Sequence, residues 1–332
     1  MRFVMNAEKY HSSLQPIGEA CRLAETGWAC LLNPLVGLGE EGRLLWKGCV
    51  LLRHALLVIR CWDACLHPHI LVREFSTLPL LLVFPFLWPL RRRLFFVINH
   101  NLQWAARNRT ERFGMASLAQ MGARWALFET QELSGLTAFN IPSTRNLVLP
   151  HPVPGKTSGE KNSAREIIGV AGYYRPEKGM DELLRLLVRH FPDCDIVIGA
   201  AAPEKIKEVP EKVRVVNTAS DEDYRRMMAQ CDVLVQNGAR DSYFYRVSGP
   251  VADAASCGTA VVVPDFPLLR QQVLFPVPVG EVFQGLEKIP DAVRSALAKA
   301  RSGQYHFEIY CAARTAQAVT DRLDEFSKEQ HG

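Results

Sequence analysis

The sequence predicts an α/β protein made of two similar domains, each a doubly wound, Rossmann-like parallel sheet. Signals for strands and helices alternate along the chain, as they do in parallel sheets joined by crossover helices. A segment rich in Pro, Gly and Ser interrupts the alternation, which then restarts, and a length of 332 residues suits two domains. The predicted organisation is a first domain over 1–150, a linker over 151–165, a second domain over 166–305 and a C-terminal helix within 306–332.

Each element is predicted from its own local pattern. Short apolar runs predict strands at 2–5, 28–34, 69–75, 94–100, 124–130, 144–150, 166–172, 194–200, 213–217, 231–237 and 259–264. Helices are predicted at 14–25, 43–60, 115–123, 178–190, 220–230, 248–258 and 306–328. Two such domains leave a cleft between them, and ligands of these sheets sit outside the carboxyl ends of the strands. Polar residues that directly follow a strand are therefore the candidates for a site.

The net charge of the chain is +4, and the charged residues are distributed unevenly along the sequence. Residues 43–112 carry 11 Lys and Arg against 3 Asp and Glu, and Arg91–Arg93 stand among aromatic residues. Basic groups beside apolar segments suit docking on an anionic membrane face. The alternative is a buried helix whose arginines reach water at its ends. No nucleic-acid motif accompanies the charge, so nucleic acid is not predicted as a partner.

The nine cysteines are odd in number, and their spacing fits neither a disulfide framework nor a zinc site. They predict reduced thiols in a cytoplasmic protein, and no metal centre. The N-terminal residues do not have the pattern of a signal peptide. No apolar run reaches, without interruption, the roughly 20 residues that a membrane span needs.

The stretch "SGPVADAASCG" (248–258) predicts a short helix of small residues. Ser248 suits the N-cap, Gly249 lets a ligand approach the backbone, Pro250 is tolerated in the first turn, and Gly258 suits the end. Such a bare helix start can hold a phosphate against its unpaired N–H groups. The alternative is a capped helix within a packed sheet. One turn deeper, Asp253 could accept hydrogen bonds from vicinal ribose hydroxyls, or pair with a nearby Arg.

Two further segments place polar groups at predicted strand ends. In "GYYRPEKGMDELL" (172–184), Arg175 and Lys178 lie in a strand-to-helix turn and suit a diphosphate, although a charged turn is often only solvated. In "FFVINHNLQW" (95–104), an apolar strand delivers His100 at its carboxyl end. The alternative for His100 is a structural role.

In this order, the segments resemble the GT-B glycosyltransferases, and most closely the large family 4. The match covers most of the chain and is strongest over 166–265: "RPEKG" (175–179) resembles the basic turn of the family, and "CDVLVQN" (231–237) resembles its next conserved strand. "DAASCGTAVVV" (253–263) is similar to its small-residue helix and following strand. In the first half, "INHN" (98–101) resembles the segment that presents a His to the transferred sugar.

The resemblance implies transfer of a sugar from a nucleotide-diphosphate sugar, usually with retention of configuration, without an essential metal and without a further cofactor. Lys178 would hold the donor diphosphate, and the backbone around Ser248 and Gly249 would face the phosphates. Asp253 would take the place of the family's ribose-binding Glu, and His100 would contact the sugar. The C-terminal helix would pack back on the first domain, as the family's does.

The chain departs from the family pattern at one carboxylate, at one arginine and in the Gly-rich first loop, because the segment 6–19 contains only Gly18. Tyr245 stands where the family commonly has a first Glu, eight positions before Asp253. The Arg that often follows the Gly of the first basic turn is replaced by Tyr173. Arg175 or Arg246 is the expected substitute.

The leading hypothesis is a cytoplasmic glycosyltransferase, peripheral on the inner face of the plasma membrane. Its acceptor would be a lipid-linked or polysaccharide precursor of the lipopolysaccharide type. Two alternatives stay open. A sugar-nucleotide epimerase on the same fold would need no acceptor, and a non-catalytic nucleotide-sugar-binding partner of another transferase would explain Tyr245.

Overall fold

The computed structural model describes most of the chain and groups it into two compact units. The described ranges are 2–4, 43–67, 69–72, 75–98, 100–129, 146–153, 164–170, 179–200, 202–206 and 209–329. The first unit comprises Met1–Pro150 with Ala316–Gly332, and the second comprises His151–Thr315. The predicted helix at 14–25 and strand at 28–34 lie outside the described residues.

Strands and helices alternate through both units. The strands are β1 Arg2–Val4, β2 Ile70–Val72, β3 Leu94–Val97, β4 Arg124–Phe128, β5 Leu147–Leu149, β6 Ile167–Val170, β7 Asp195–Ala200, β8 Val213–Asn217, β9 Val233–Val235, β10 Ala260–Pro264 and β11 Gly280–Phe283. The helices are α1 Arg43–Asp63, α2 Thr77–Leu87, α3 Asn101–Arg107, α4 Arg109–Gln120, α5 Met180–His190, α6 Asp221–Gln230, α7 Arg240–Tyr243, α8 Gly249–Ser256, α9 Pro267–Leu274, α10 Ile289–Arg301, α11 Phe307–Ala312 and α12 Ala316–Glu329. None of the helices in the described ranges combines the length and the apolar character needed to cross a bilayer.

The first unit is built on a parallel sheet with the strand order β1-β2-β3-β4-β5. Strands β2, β3 and β4 are almost wholly buried and apolar, as expected for a parallel sheet covered on both faces. Helix α12 belongs to this unit, and the ring of its Phe326 meets Phe95 of β3 edge-on at 5.4 Å between centroids. The guanidinium of Arg124 lies 4.3 Å from the centre of the Phe95 ring.

The C-terminal region contains two helices, α11 and α12, where the sequence predicted one continuous helix. The break falls at Arg314, which is almost fully buried in the second unit. Its guanidinium donates to the carbonyls of His151 at 3.2 Å and Phe275 at 2.8 Å, and its own carbonyl accepts from the N–H of Val153 at 3.1 Å. These contacts hold the chain in a turn between the two helices, because they place hydrogen-bond acceptors around a buried cation.

The second unit is a six-stranded parallel sheet with the order β11-β10-β9-β6-β7-β8. The chain begins in the middle at β6, runs outward through β7 and β8, and returns to β9 on the other side of β6. It then continues through β10 to β11. The strand order therefore reverses between β6 and β9, as in doubly wound sheets. One apolar cluster fills each face of this sheet.

Candidate functional site

The reversal between β6 and β9 marks the crevice where doubly wound sheets bind their ligands. Strand β6 leads into 171–178, so Arg175 and Lys178 lie outside the described residues. The described chain resumes at Gly179, whose φ of 62° is the left-handed conformation that favours glycine. A side-chain carbon on Gly179 would lie 3.5 Å from the amide nitrogen of Asn237, which follows β9. The start of α5 and the end of β9 are therefore neighbours at this crevice.

Helix α8 begins at this edge of the sheet, and its N-terminus is held by two buried amides. The fully buried side chain of Gln272 accepts from the N–H of Ser248 at 2.9 Å and donates to its carbonyl at 2.8 Å. The hydroxyl of Ser248 donates to the side-chain oxygen of buried Gln236 at 2.5 Å. Tyr310 in turn donates to the carbonyl of Gln272 at 2.7 Å. The helix start is thus fixed from both its backbone and its side chain.

The Ser248 hydroxyl does not cap the helix, although the residue occupies the N-cap position that the sequence predicted. Its hydroxyl is committed to Gln236, and no side-chain hydrogen bond caps the first turn of α8. Gly249 and Pro250 are only partly buried. The helix ends at Ser256, and Gly258, with a φ of 71°, follows the C-cap residue Cys257 as the stop that the sequence predicted. An uncapped helix start with partial positive charge, and no side chain on Gly249, is an arrangement suited to an anion.

Asp253 lies one turn deeper in α8 and is only 5% exposed. Burial raises its pKa from 3.8 to about 7, although the charge of Arg225 and a hydrogen bond from the Tyr224 hydroxyl both lower it. Tyr224 and Arg225 belong to α6, which packs against α8. Asp253 thus lies within electrostatic reach of Arg225, and pairing with this Arg stays a prediction beside the ribose contact.

Tyr245 and Arg246 lie on the loop between α7 and α8, and both are partly exposed. The Tyr245 ring meets Phe244 edge-on at 4.9 Å between centroids, and the Arg246 guanidinium lies 5.3 Å from the centre of the Tyr243 ring. Gly238 permits this packing, because a side-chain carbon there would come within 2.7 Å of the Tyr243 ring. Both candidate residues are therefore held on an aromatic loop directly ahead of the helix start.

His100 lies in the first unit and follows β3, as predicted. It is exposed, and its carbonyl accepts the N–H of Trp104 at 3.0 Å, which starts α3. Its ring lies 5.6 Å from the half-exposed ring of Trp104. The next residue, Asn101, is buried and donates to the carbonyl of Phe75 at 3.3 Å, so it has a structural role. Asn99 lies outside the described residues.

Glu129 is a second polar residue at this edge of the first sheet. In the register of β3 and β4, Val97 pairs with Ala126, and His100 and Glu129 each lie three residues after these paired positions. Glu129 is buried, and its φ of 77° is costly for a residue with a side chain. Strained residues of this kind cluster at functional sites. Sequence analysis treated 124–130 simply as a strand, because backbone strain has no signature in a single sequence.

The predicted residues thus fall into three groups. Ser248, Gly249 and Asp253 share α8, and the loop ahead of it carries Tyr245 and Arg246. His100 belongs to the other unit. The residues that sequence analysis missed are Gln236, Gln272, Trp104 and Glu129. Only Gln236 had a usable signal, since it directly follows a predicted strand core. The described residues contain no group of three or more His, Cys, Asp or Glu side chains that could hold a metal ion.

The two parallel-sheet α/β units give the chain the GT-B fold, and this prediction of fold class is confirmed. No known family profile matches the chain, and no curated protein matches it by sequence. Membership of family 4 therefore stays a prediction.

Solved structures resemble the chain over nearly its whole length. HepE from Anabaena, in complex with UDP, is 14% identical with a TM-score of 0.68, and the match covers 99% of this chain and 100% of that one. A UDP-forming α,α-trehalose-phosphate synthase from Burkholderia xenovorans, in complex with glucose-6-phosphate, is 10% identical with a TM-score of 0.63 and coverages of 99% and 100%. The pneumococcal O-GlcNAc transferase GtfA, in complex with UDP and GlcNAc, is 12% identical with a TM-score of 0.56 and coverages of 83% and 60%. At these identities the likeness is one of fold.

Proposed function

We propose that the protein is a glycosyltransferase that moves a sugar from a nucleotide-diphosphate sugar to a lipid-linked or polysaccharide-type acceptor. The observation that carries the proposal is the uncapped start of α8, clamped by Gln236 and Gln272 at the carboxyl edge of a doubly wound sheet. The resemblance to proteins crystallised with UDP supports a nucleoside diphosphate as the anion, and UDP as the first to test.

The proposed chemistry is departure of the nucleoside diphosphate. Charge develops on the diphosphate as the glycosidic bond breaks, and pre-positioned donors stabilise that charge without reorganising. The N–H groups of α8 beside Gly249 would supply part of this stabilisation, together with Lys178 and Arg175 of the turn that the sequence predicts. Amide and cationic groups could perform this role without a metal ion, and we propose retention of configuration by the family resemblance.

His100 is the proposed contact to the transferred sugar. Its exposure and its position after a buried strand leave its ring accessible to a ligand. The half-exposed indole of Trp104 beside it offers an apolar surface of the kind that suits a sugar ring. Asp253 is the proposed ribose contact. The alternative is that its carboxylate interacts with Tyr224 and Arg225 instead.

The proposed working place is the cytoplasmic face of the plasma membrane, where a lipid-linked acceptor would be presented. The support is the basic segment around Arg91–Arg93, of which Arg92 and Arg93 are exposed. Cationic side chains of this kind are attracted to anionic lipid by about 1 kcal/mol each.

Replacing Lys178 by Ala tests the diphosphate assignment. The Lys178→Ala variant is expected to bind UDP at least about tenfold more weakly, about 1.4 kcal/mol, in a calorimetric titration. Lys212→Ala is the matched control, because Lys212 is exposed and directly precedes β8, at the amino end of the sheet. If the two variants bound UDP with equal affinity, Lys178 would not be part of the diphosphate site.

One alternative function retains specific support. Tyr245 occupies the place of a carboxylate in the predicted family, which favours a non-catalytic nucleotide-sugar-binding partner of another transferase. That alternative predicts donor binding without turnover across a broad acceptor panel. An epimerase would instead convert the donor sugar when no acceptor is present.

A further inference from the structure

Helix α2 exposes an apolar face. The residues that point outward along it, at the spacing of one helix face, are Leu78, Leu82, Pro85 and Phe86. Leu82 and Phe86 are each 67% exposed. An apolar helix without a polar face is normally buried on all sides, but the residues that the structure describes leave the outward face of α2 exposed.

Helix α1 carries a second apolar stripe. Leu52, Ala55, Ile59, Trp62 and Leu66 follow one another at helical spacing along the helix and the turn after it, and all are exposed. Leu66 is 90% exposed. The opposite side of α1 is the buried one, and there the His54 ring accepts the N–H of Ser76 at 3.0 Å. The exposed stripe is therefore the outer side of a packed helix.

The two stripes form one surface. Helices α1 and α2 pack against each other, and the indole nitrogen of Trp62 donates to the carbonyl of Phe86 at 3.1 Å. This hydrogen bond joins the exposed residues of one helix to those of the other. We call the combined surface, formed by Leu52, Ile59, Trp62, Leu66, Leu78, Leu82 and Phe86, the α1/α2 face. Single exposed apolar residues are ordinary, but a contiguous apolar surface marks an interaction site.

Cations line one end of the α1/α2 face. The half-exposed indole of Trp88 follows α2, and the guanidinium of Arg91 stacks 3.6 Å from the centre of its ring. Arg93 donates to the carbonyl of Cys65, next to Leu66. Asp63 is the acidic residue described within α1 and α2. The face therefore combines aliphatic side chains, the Trp62 indole where the two helices meet, and an edge of Trp88 and arginines.

We propose that the α1/α2 face enters the interfacial region of an anionic lipid bilayer and anchors the protein there. The proposal rests on the proposed function for the membrane setting, and goes further in naming apolar insertion as the anchor. Aliphatic side chains with tryptophan and arginine at the margin are the composition of segments that lie in a membrane interface. A second copy would bring the same cations to this edge, whereas an anionic lipid surface supplies the opposite charge.

The test is binding of the full-length protein to vesicles of phosphatidylcholine with phosphatidylglycerol. The double variant Leu82→Gln with Phe86→Gln is expected to bind at least about tenfold more weakly than the wild type, because it removes two apolar side chains from the lipid. The matched control is Leu274→Gln with Ile309→Gln, two exposed apolar residues of the second unit. Its vesicle binding is expected to equal that of the wild type. Thermal denaturation of both variants checks that they fold.

The salt dependence of vesicle binding distinguishes the contribution of the apolar anchor from that of the arginine edge. Between about 0.1 M and about 1 M salt the Debye length falls from roughly 10 Å to roughly 3 Å. Wild-type binding is expected to weaken but persist at high salt, and a variant with Arg91–Arg93 replaced by Gln is expected to lose the salt-sensitive part.

Three outcomes would overturn the inference. The wild type could fail to bind the vesicles, or the double variant could bind them as tightly as the wild type. The third outcome is a wild-type protein that is dimeric in solution and a double variant that is monomeric. UDP binding is measured in parallel, so retained UDP affinity shows that the anchor alone has failed.

Discussion

A Gln272→Met variant is expected to lose about 3 kcal/mol of unfolding free energy and to bind UDP at least about tenfold more weakly. Methionine has a similar size, so the packing of α9 is preserved. The N–H and the carbonyl of Ser248 both lose their partner, however, and each buried unpaired group costs about 1–3 kcal/mol. Urea denaturation measures the first effect, and a calorimetric titration with UDP measures the second.

Gln271→Met is the control for this prediction. Gln271 is the neighbouring residue of α9 and is partly exposed, whereas Gln272 is fully buried. The control is expected to differ from the wild type by less than about 0.5 kcal/mol. If the two variants were equally stable, the clamp on Ser248 would not fix the helix start. If Gln272→Met lost stability but kept its UDP affinity, the phosphate site would lie elsewhere.

An Asp253→Asn variant is expected to be more stable than the wild type at pH 8, by up to about 4 kcal/mol. Burial raises the pKa of Asp253 to about 7, so the folded protein holds a proton there that the unfolded chain releases near 3.8. The wild type therefore loses stability as the pH rises from about 4 to about 7, and Asn does not titrate. The difference in unfolding free energy between the variant and the wild type should be smallest below pH 4 and constant above pH 7.

Urea denaturation of both proteins across this pH range measures this difference. Asp291→Asn is the control, because the Asp291 side chain is 70% exposed and should show no comparable difference. If the difference in unfolding free energy between Asp253→Asn and the wild type did not change with pH, the burial argument would be contradicted. The affinity of the same variant for UDP separates the two roles of Asp253. Unchanged affinity supports the pairing with Arg225, and a tenfold loss supports the ribose contact.

Much of the fold could be predicted from the sequence because most strands are short apolar runs that are recognisable in the sequence. Strand β11 and helices α3, α7, α9 and α10 were missed. The residues of β11, Gly280–Phe283, are too few to show a period, and only pairing with β10 defines them as a strand. Helix α2 was not recognised, because Pro79 and Pro85 interrupt it and its composition lacks an amphipathic pattern. Packing against α1 and α4 forms it regardless.

The site was predictable where local chemistry decides it. The positive φ of Gly258 and the start of α8 at Gly249 follow from residue types alone. The clamp from Gln272 could not be predicted, since it joins residues 24 apart through a side chain that the sequence shows only as part of a helix. The orientation of Asp253 toward α6 is a matter of tertiary packing, and the sequence left both of its roles open for that reason.

The most direct test of the proposed function is the binding of nucleoside diphosphates to the wild-type protein. A calorimetric titration with UDP, GDP, ADP, CDP and TDP is predicted to show one nucleoside diphosphate bound per chain. The corresponding monophosphate should bind at least about tenfold more weakly, because the start of α8 and the basic turn act on the diphosphate. Binding of none of these diphosphates, or equal binding of the monophosphate, would contradict a nucleotide-diphosphate-sugar site at the carboxyl edge of the second sheet.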